Sequence, residues 1–151
     1  MPSMIRGIIF DFNRTLYDPE TGMLTEGALD LLEHLKAKVY KMCLISKKTT
    51  SDRREQISRL GLDGYFLDVQ VLDEDAKTAK SFERCSEVMA LQASEIAVVG
   101  DRVRSEIALG NDLGMMTFWY RAGKFASEAP RNSREIPGNT IWRLEKLKDY
   151  F

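Results

Sequence analysis

With 151 residues, 44% hydrophobic and 30% charged, the chain has the balance of an ordinary globular protein long enough to bury a core, which excludes a disordered tract. Its 22 basic and 23 acidic residues nearly cancel, so net charge draws it neither to nucleic acid nor to an anionic membrane surface. No apolar run approaches the roughly 18 residues that span a bilayer, "MPSMIRG" lacks the core of a secretory signal, and the expected state is one cytoplasmic domain over residues 1–151.

Short apolar runs alternate with helix-period stretches along the chain. "IRGIIF" (5–10) predicts a first strand that ends in Asp11 and turns through Asn13, Arg14 and Thr15. Ala28, Leu31, Leu32 and Leu35 then fall at i, i+3, i+4 and i+7, the stripe of an amphipathic helix. His34, the only histidine, sits at a polar position of that helix and reads as surface. "VYKMCLI" (39–45) is the second strand, followed by Ser46, Lys47 and Lys48. Ser51 is placed to cap the helix "DRREQISRL", with Gly61 just past its end. "YFLDVQVL" (65–72) alternates imperfectly and reads as an edge strand. Phe82, Cys85 and Met89 mark the next helix, "IAVVG" (96–100) the fourth strand, and "MMTFWY" (115–120) the fifth, with Gly114 before it at a helix end. The aromatics of "FWY" read as core.

Cys43 and Cys85 both lie on apolar faces and read as reduced core residues, too few for a zinc site. The stretch 121–138, rich in Gly, Pro, Ser and Arg, reads as a surface connector before a final helix around "RLEKLKDY". Arg121, Lys124, Arg131 and Arg134 are its candidates for touching an anion. Strand, helix, strand with short links predicts an α/β fold, a mostly parallel sheet covered on both faces.

In such sheets ligands bind at the carboxyl ends of the strands. The first strand delivers Asp11 there, the second Ser46 with Lys47, and the fourth "GDRVRSE" with Asp101 and Glu106; Lys77 opens the helix before the fourth strand. These types suit phosphoryl transfer. A carboxylate can attack phosphorus and form an aspartyl-phosphate, which makes Asp11 the candidate nucleophile. Its charge would repel a phosphate dianion unless a hard cation lay between them, and Mg²⁺ takes carboxylates, carbonyl oxygens and phosphate; Asp101 supplies the second carboxylate. Ser46 and Lys77 offer a hydroxyl and an ammonium to the phosphoryl oxygens.

These residues resemble the motifs of the haloacid dehalogenase (HAD) superfamily of phosphohydrolases. Its first motif, DxDx[TV], is matched by Asp11, Asn13 and Thr15 in "DFNRT"; its second by Ser46; its third by Lys77, five residues before Phe82, with Lys80 as the runner-up; and its fourth, GDxxxxD, by "GDRVRSE", where Glu106 replaces the final Asp. The resemblance implies a three-layer Rossmann-like sheet of order 5-4-1-2-3 and a Mg²⁺ site made by Asp11, the backbone carbonyl of Asn13 and Asp101, with Glu106 beside it. It also implies cap domains, yet only "RTLYDPETGML" precedes the first helix and 31 positions separate Ser46 from Lys77. No cap fits, and in this family an open site goes with a large phosphorylated substrate or with subunits that cover one another. A response-regulator receiver uses the same residue types in a different order along the strands.

Asn13 is the departure with consequences. In the family that side chain protonates the leaving group and then activates water, and an amide can do neither. Three functions stay open: a slow Mg²⁺-dependent phosphatase, a phosphotransferase, and a phosphate- and metal-binding interaction module without turnover.

Overall fold

A computed structural model describes residues 4–47, 51–73 and 78–151 of the chain. Strand β1 (Gly7–Asp11) leads into a short antiparallel hairpin, β2 (Tyr17–Asp18) and β3 (Met23–Leu24), and then into helix α1 (Ala28–Ala37). There follow β4 (Lys41–Lys47), α2 (Arg53–Arg59), β5 (Asp68–Leu72), α3 (Ala79–Met89) and β6 (Ile96–Gly100). A π-helical turn (Val103–Ile107) continues into α4 (Ala108–Asp112), and β7 (Met116–Tyr120) and β8 (Asn139–Ile141) precede a 3₁₀ segment, Leu144–Asp149. Six strands pair in parallel in the order β5-β4-β1-β6-β7-β8.

The central strands are apolar along their length because helices cover both faces: every residue of "GIIFD" and "IAVVG" is buried. Their side chains divide by the two-residue period of a strand. Ile8, Phe10, Met42, Leu44 and Val99 join Leu31, Leu32 and Leu35 of α1 in one core; Ile9, Cys43, Ile45 and Val98 join Phe82, Cys85 and Met89 of α3 in the other. Both helical stripes therefore face inward as their spacing predicts. Both cysteines are free and buried; the neighbouring Cys43 thiol, then burial, push the Cys85 thiol well above its ordinary pKa. Phe118 and Trp119 are buried in β7 as core, while Tyr120 is half-buried and packs against it.

The five expected strands stand in the expected order, and a sixth lies outside them. β8 pairs with β7 at a sheet edge, drawn from residues that follow the supposed connector. Thr117 anchors it: its hydroxyl accepts from the Gly138 N–H at 2.9 Å and its carbonyl from the Asn139 amide at 3.3 Å. The predicted final helix is 3₁₀, with Leu144 and Leu147 buried against α1. β5 is the opposite edge, as its pattern suggests, but Gln70 faces inward because its amide donates to the Ser81 carbonyl at 2.9 Å. Asp52, not Ser51, precedes the first residue of α2. Gly61 and Gly114 do end helices, at φ of 77° and 79°. His34 is half-buried rather than surface, its Nε2 lying 3.2 Å from the Phe151 carbonyl oxygen. No helix among the described residues is long and apolar enough to cross a membrane.

Candidate active site

Asp11 is the last residue of β1, level with Ile45 of β4. The chain leaves it in a tight turn wound on the Phe12 carbonyl, which accepts from the N–H groups of Thr15, Leu16 and Tyr17. Phe12 is fully buried and stacks on Tyr17, with centroids 5.0 Å apart and planes 8° apart. The Arg53 guanidinium, buried in α2, covers its ring at 5.0 Å. That anchor fixes the turn, and the turn lets the Thr15 hydroxyl donate to the Asp11 carboxylate at 3.0 Å. Arg14 takes up the left-handed backbone that the turn requires, at φ 65°, its N–H donating to the Tyr17 carbonyl at 2.7 Å. Asn13 is half-buried, and no donor among the described residues reaches its buried Oδ1.

Asp101 follows β6 directly. Its carbonyl accepts from the Trp119 indole N–H at 2.9 Å, and Trp119 packs on Val103 and Ile107, which ties the loop to β7. The π-helical turn then swings Glu106 back over Gly100. A Cβ at Gly100 would lie 2.8 Å from Cβ of Glu106 and 2.9 Å from its Cγ, so only glycine admits the Glu106 side chain here.

The result is a cluster of three buried carboxylates, Asp11, Asp101 and Glu106, whose nearest oxygens all lie within 4.8 Å of one another. Hard oxygen donors gathered at that spacing suit a cation such as Mg²⁺. The cluster lines a cavity of about 190 Å³ with Asn13, Arg14, Lys47, Arg102, Ser105 and Phe125. Arg102 is held by the Glu128 carboxylate at 3.0 Å and stacks on Phe125 at 4.2 Å. A larger cavity of about 610 Å³ lies between the β2–β3 hairpin and the end of β7, lined among others by Arg14, Asp18, Thr25, Tyr120 and Lys124. Burial, then Asp18, Asp101 and Glu26, raise the pKa of the Tyr120 phenol.

The expected site residues fall into three groups. Asp11, Asn13, Lys47, Asp101 and Glu106 converge on the smaller cavity. Ser46 is fully buried one residue before the end of β4, its hydroxyl donating to the Lys47 carbonyl at 3.0 Å, and it is not in the cavity lining. Lys77 lies outside the described residues; Lys80 is exposed on α3, away from the cavity. Of the connector's cations, Lys124 lines the larger cavity. Arg131 pairs with Glu135 and Arg134 with Asp112, while Arg121 donates to the Ala126 carbonyl. Arg14 and Phe125 were not singled out from the sequence. Arg14 lies inside the motif "DFNRT" itself, where a bulky residue in the turn was the available signal; Phe125 carried none.

Residues 1–124 match the model of the family described as mitochondrial PGP phosphatase. Over 124 residues, the chain is 33% identical to a glyceraldehyde 3-phosphate phosphatase of Pyrococcus furiosus, covering 80% of this chain and 51% of that protein. It is 27% identical over 121 residues to the enzyme of the same name from Methanopyrus kandleri, covering 78% and 52%. The chain thus spans about half the length of the curated relatives it matches. Among solved structures, the HAD-hydrolase YfnB of Bacillus subtilis, described with bound magnesium, superposes with a TM-score of 0.83 at 14% identity, covering 98% of this chain and 99% of that one. That likeness concerns the fold, and the family match carries the assignment. The chain belongs to the mitochondrial PGP phosphatase family, a phosphatase family within the HAD superfamily.

Proposed function

We propose that the protein is a Mg²⁺-dependent phosphohydrolase that works through an aspartyl-phosphate on Asp11. The observation that carries this reading is the buried cluster of Asp11, Asp101 and Glu106 at the carboxyl edge of the sheet. Asp11 and Asp101, with the backbone carbonyl of Asn13, would hold the metal, and Glu106 would complete the charge around it. When bound, Mg²⁺ supplies the positive charge that lets a phosphate dianion approach three carboxylates.

The chain's own residues would do the rest. The Thr15 hydroxyl, donating to Asp11, would fix the rotamer of the carboxylate that attacks phosphorus. Lys47 at the cavity, and Lys77 and the Ser46 hydroxyl by family resemblance, would bind phosphoryl oxygens. Ser46 would have to turn away from the Lys47 carbonyl to do so. Asn13 occupies the acid/base position and has no titratable proton, so turnover is slow. The domain would extend over residues 1–151 with no cap over the site: the described part of the stretch between β1 and α1 holds only the β2–β3 hairpin. The class of substrate is a phosphomonoester, as the names of the relatives suggest.

Phosphate release from a phosphomonoester panel, with and without Mg²⁺, tests this. Release should need the metal and vanish in Asp11→Asn. A second reading, a phosphate-binding module or phosphotransferase, is favoured by Asn13 alone. It predicts Mg²⁺ and phosphate binding without release of inorganic phosphate.

A further inference from the structure

The carboxylate cavity has two cations whose side chains make no ion pair or hydrogen bond among the described residues, Arg14 and Lys47; the third, Arg102, is held by Glu128. Of all the residues that line this cavity, Arg14 alone also lines the larger one beside the hairpin. It therefore borders both. It also takes a left-handed backbone, φ 65°, which costs a residue with a Cβ on the order of 1 kcal/mol that glycine would avoid. A strained arginine kept where it borders two cavities points to a use for its guanidinium.

We infer that the larger cavity receives the alcohol part of the phosphoester and that Arg14 donates to the oxygen that leaves phosphorus. This rests on the phosphohydrolase reading above. With the phosphoryl group among the carboxylates and the alcohol in the larger cavity, the scissile oxygen would lie at Arg14, which borders both. As an Asp11 oxygen bonds to phosphorus, the bond from phosphorus to the alcohol oxygen breaks and its electron pair stays on that oxygen. A protonated side chain would neutralise the charge at once, but Asn13 has no proton to give. The guanidinium keeps its own proton as well, so it acts as a fixed charge and donor facing the developing alkoxide. The alkoxide then takes a proton from water, and the hydroxide so formed attacks the aspartyl-phosphate, giving inorganic phosphate and the free Asp11 carboxylate. The cavity's volume, within the few hundred to a thousand Å³ of ordinary ligand sites, fits a small alcohol, and its carboxylates Asp18 and Glu26 suit a hydroxylated one.

The test compares phenyl phosphate with 4-nitrophenyl phosphate, equal in shape around the phosphoryl group but different in how easily the phenolate leaves. Arg14→Gly removes the guanidinium and relieves the backbone, so the variant should fold; its melting temperature checks that. It should lower kcat/KM on phenyl phosphate by on the order of 10²-fold and on the activated ester by about tenfold less. Arg14→Lys should fall between, and added guanidinium ion should restore part of the loss in Arg14→Gly only. Equal losses on both esters, or a loss confined to KM, overturn the role of Arg14. In the same assay Asp11→Asn should abolish release from both esters. If it does not, or if the native protein releases no phosphate, the phosphohydrolase reading falls and this one with it; if Asp11→Asn does abolish it while Arg14→Gly loses equally on both esters, only Arg14 is wrongly assigned.

Discussion

At the scale of single residues, Asn13 decides how fast the proposed chemistry can run. Asn and Asp are nearly isosteric, and the half-buried side chain has no donor among the described residues on its Oδ1, so a carboxylate fits without breaking a hydrogen bond there. Restoring the acid should raise turnover by on the order of 10²-fold or more on an ester with a poor leaving group. Steady-state phosphate release by Asn13→Asp checks this. No gain, in a variant that still binds Mg²⁺, would favour the binding-module reading. On the proposed reading the two neighbours would divide the work by chemistry: position 13 would set whether a proton is available, and position 14 what charge the departing oxygen meets without one.

At the scale of elements, residues 121–138 lie mostly at the surface, as their composition suggests, and form a wall pinned to the π-helical turn and α4. Arg102 pairs with Glu128, Arg131 and Arg104 with Glu135, and Arg134 with Asp112. The Asn111 amide also donates to the Arg134 and Ile136 carbonyls at 2.7 Å. Glu135 is buried, and its hydrogen bonds to Arg131, with Arg104 nearby, lower its pKa from 4.5 to about 2. A carboxylate depressed in the folded state contributes stability that is fully present above its unfolded pKa and is lost as pH falls through its folded one. The gap in melting temperature between the native protein and Glu135→Gln should thus be constant above about pH 5 and close as pH falls from 4.5 to about 2. A gap unchanged across that window would mean that Glu135 keeps no charge-dependent hold on the wall. Because Phe125 of the same wall stacks on Arg102 and lines the cavity, loosening it should also weaken phosphate binding.

At the scale of the whole molecule, three buried carboxylates from β1, the β6 loop and the π-helical turn would, on the proposed reading, make the fold answer to a cation. A metal that binds only the native state stabilises it by about 2.7 kcal/mol at a hundredfold excess over Kd, a rise of about 5–10 °C in melting temperature for a domain of this size. Millimolar Mg²⁺ should produce that rise in the native protein and none in Asp101→Ala. Equal melting curves for both, with and without the metal, would count against a metal site here.

The sequence by itself determined the parallel sheet, the faces of α1 and α3 and the convergence of Asp11, Asp101 and Glu106, because each follows from local period and from which residue ends a strand. Continuous apolar runs can only be strands buried on both faces, and the residues after them must gather at one edge. Only the tertiary structure decided what depends on contacts far apart in the chain. β8 forms because Thr117 and Asn139 meet across 22 residues, in a stretch whose composition signals turns. Gln70 turns inward because Ser81 accepts its amide. Arg131 and Arg134 of the connector pair with Glu135 and Asp112, and pairing of this kind leaves no periodic trace. Arg14 borders two cavities whose linings come from the turn after β1, the hairpin, the β6 loop and the 121–138 stretch, and no one stretch of sequence contains them all.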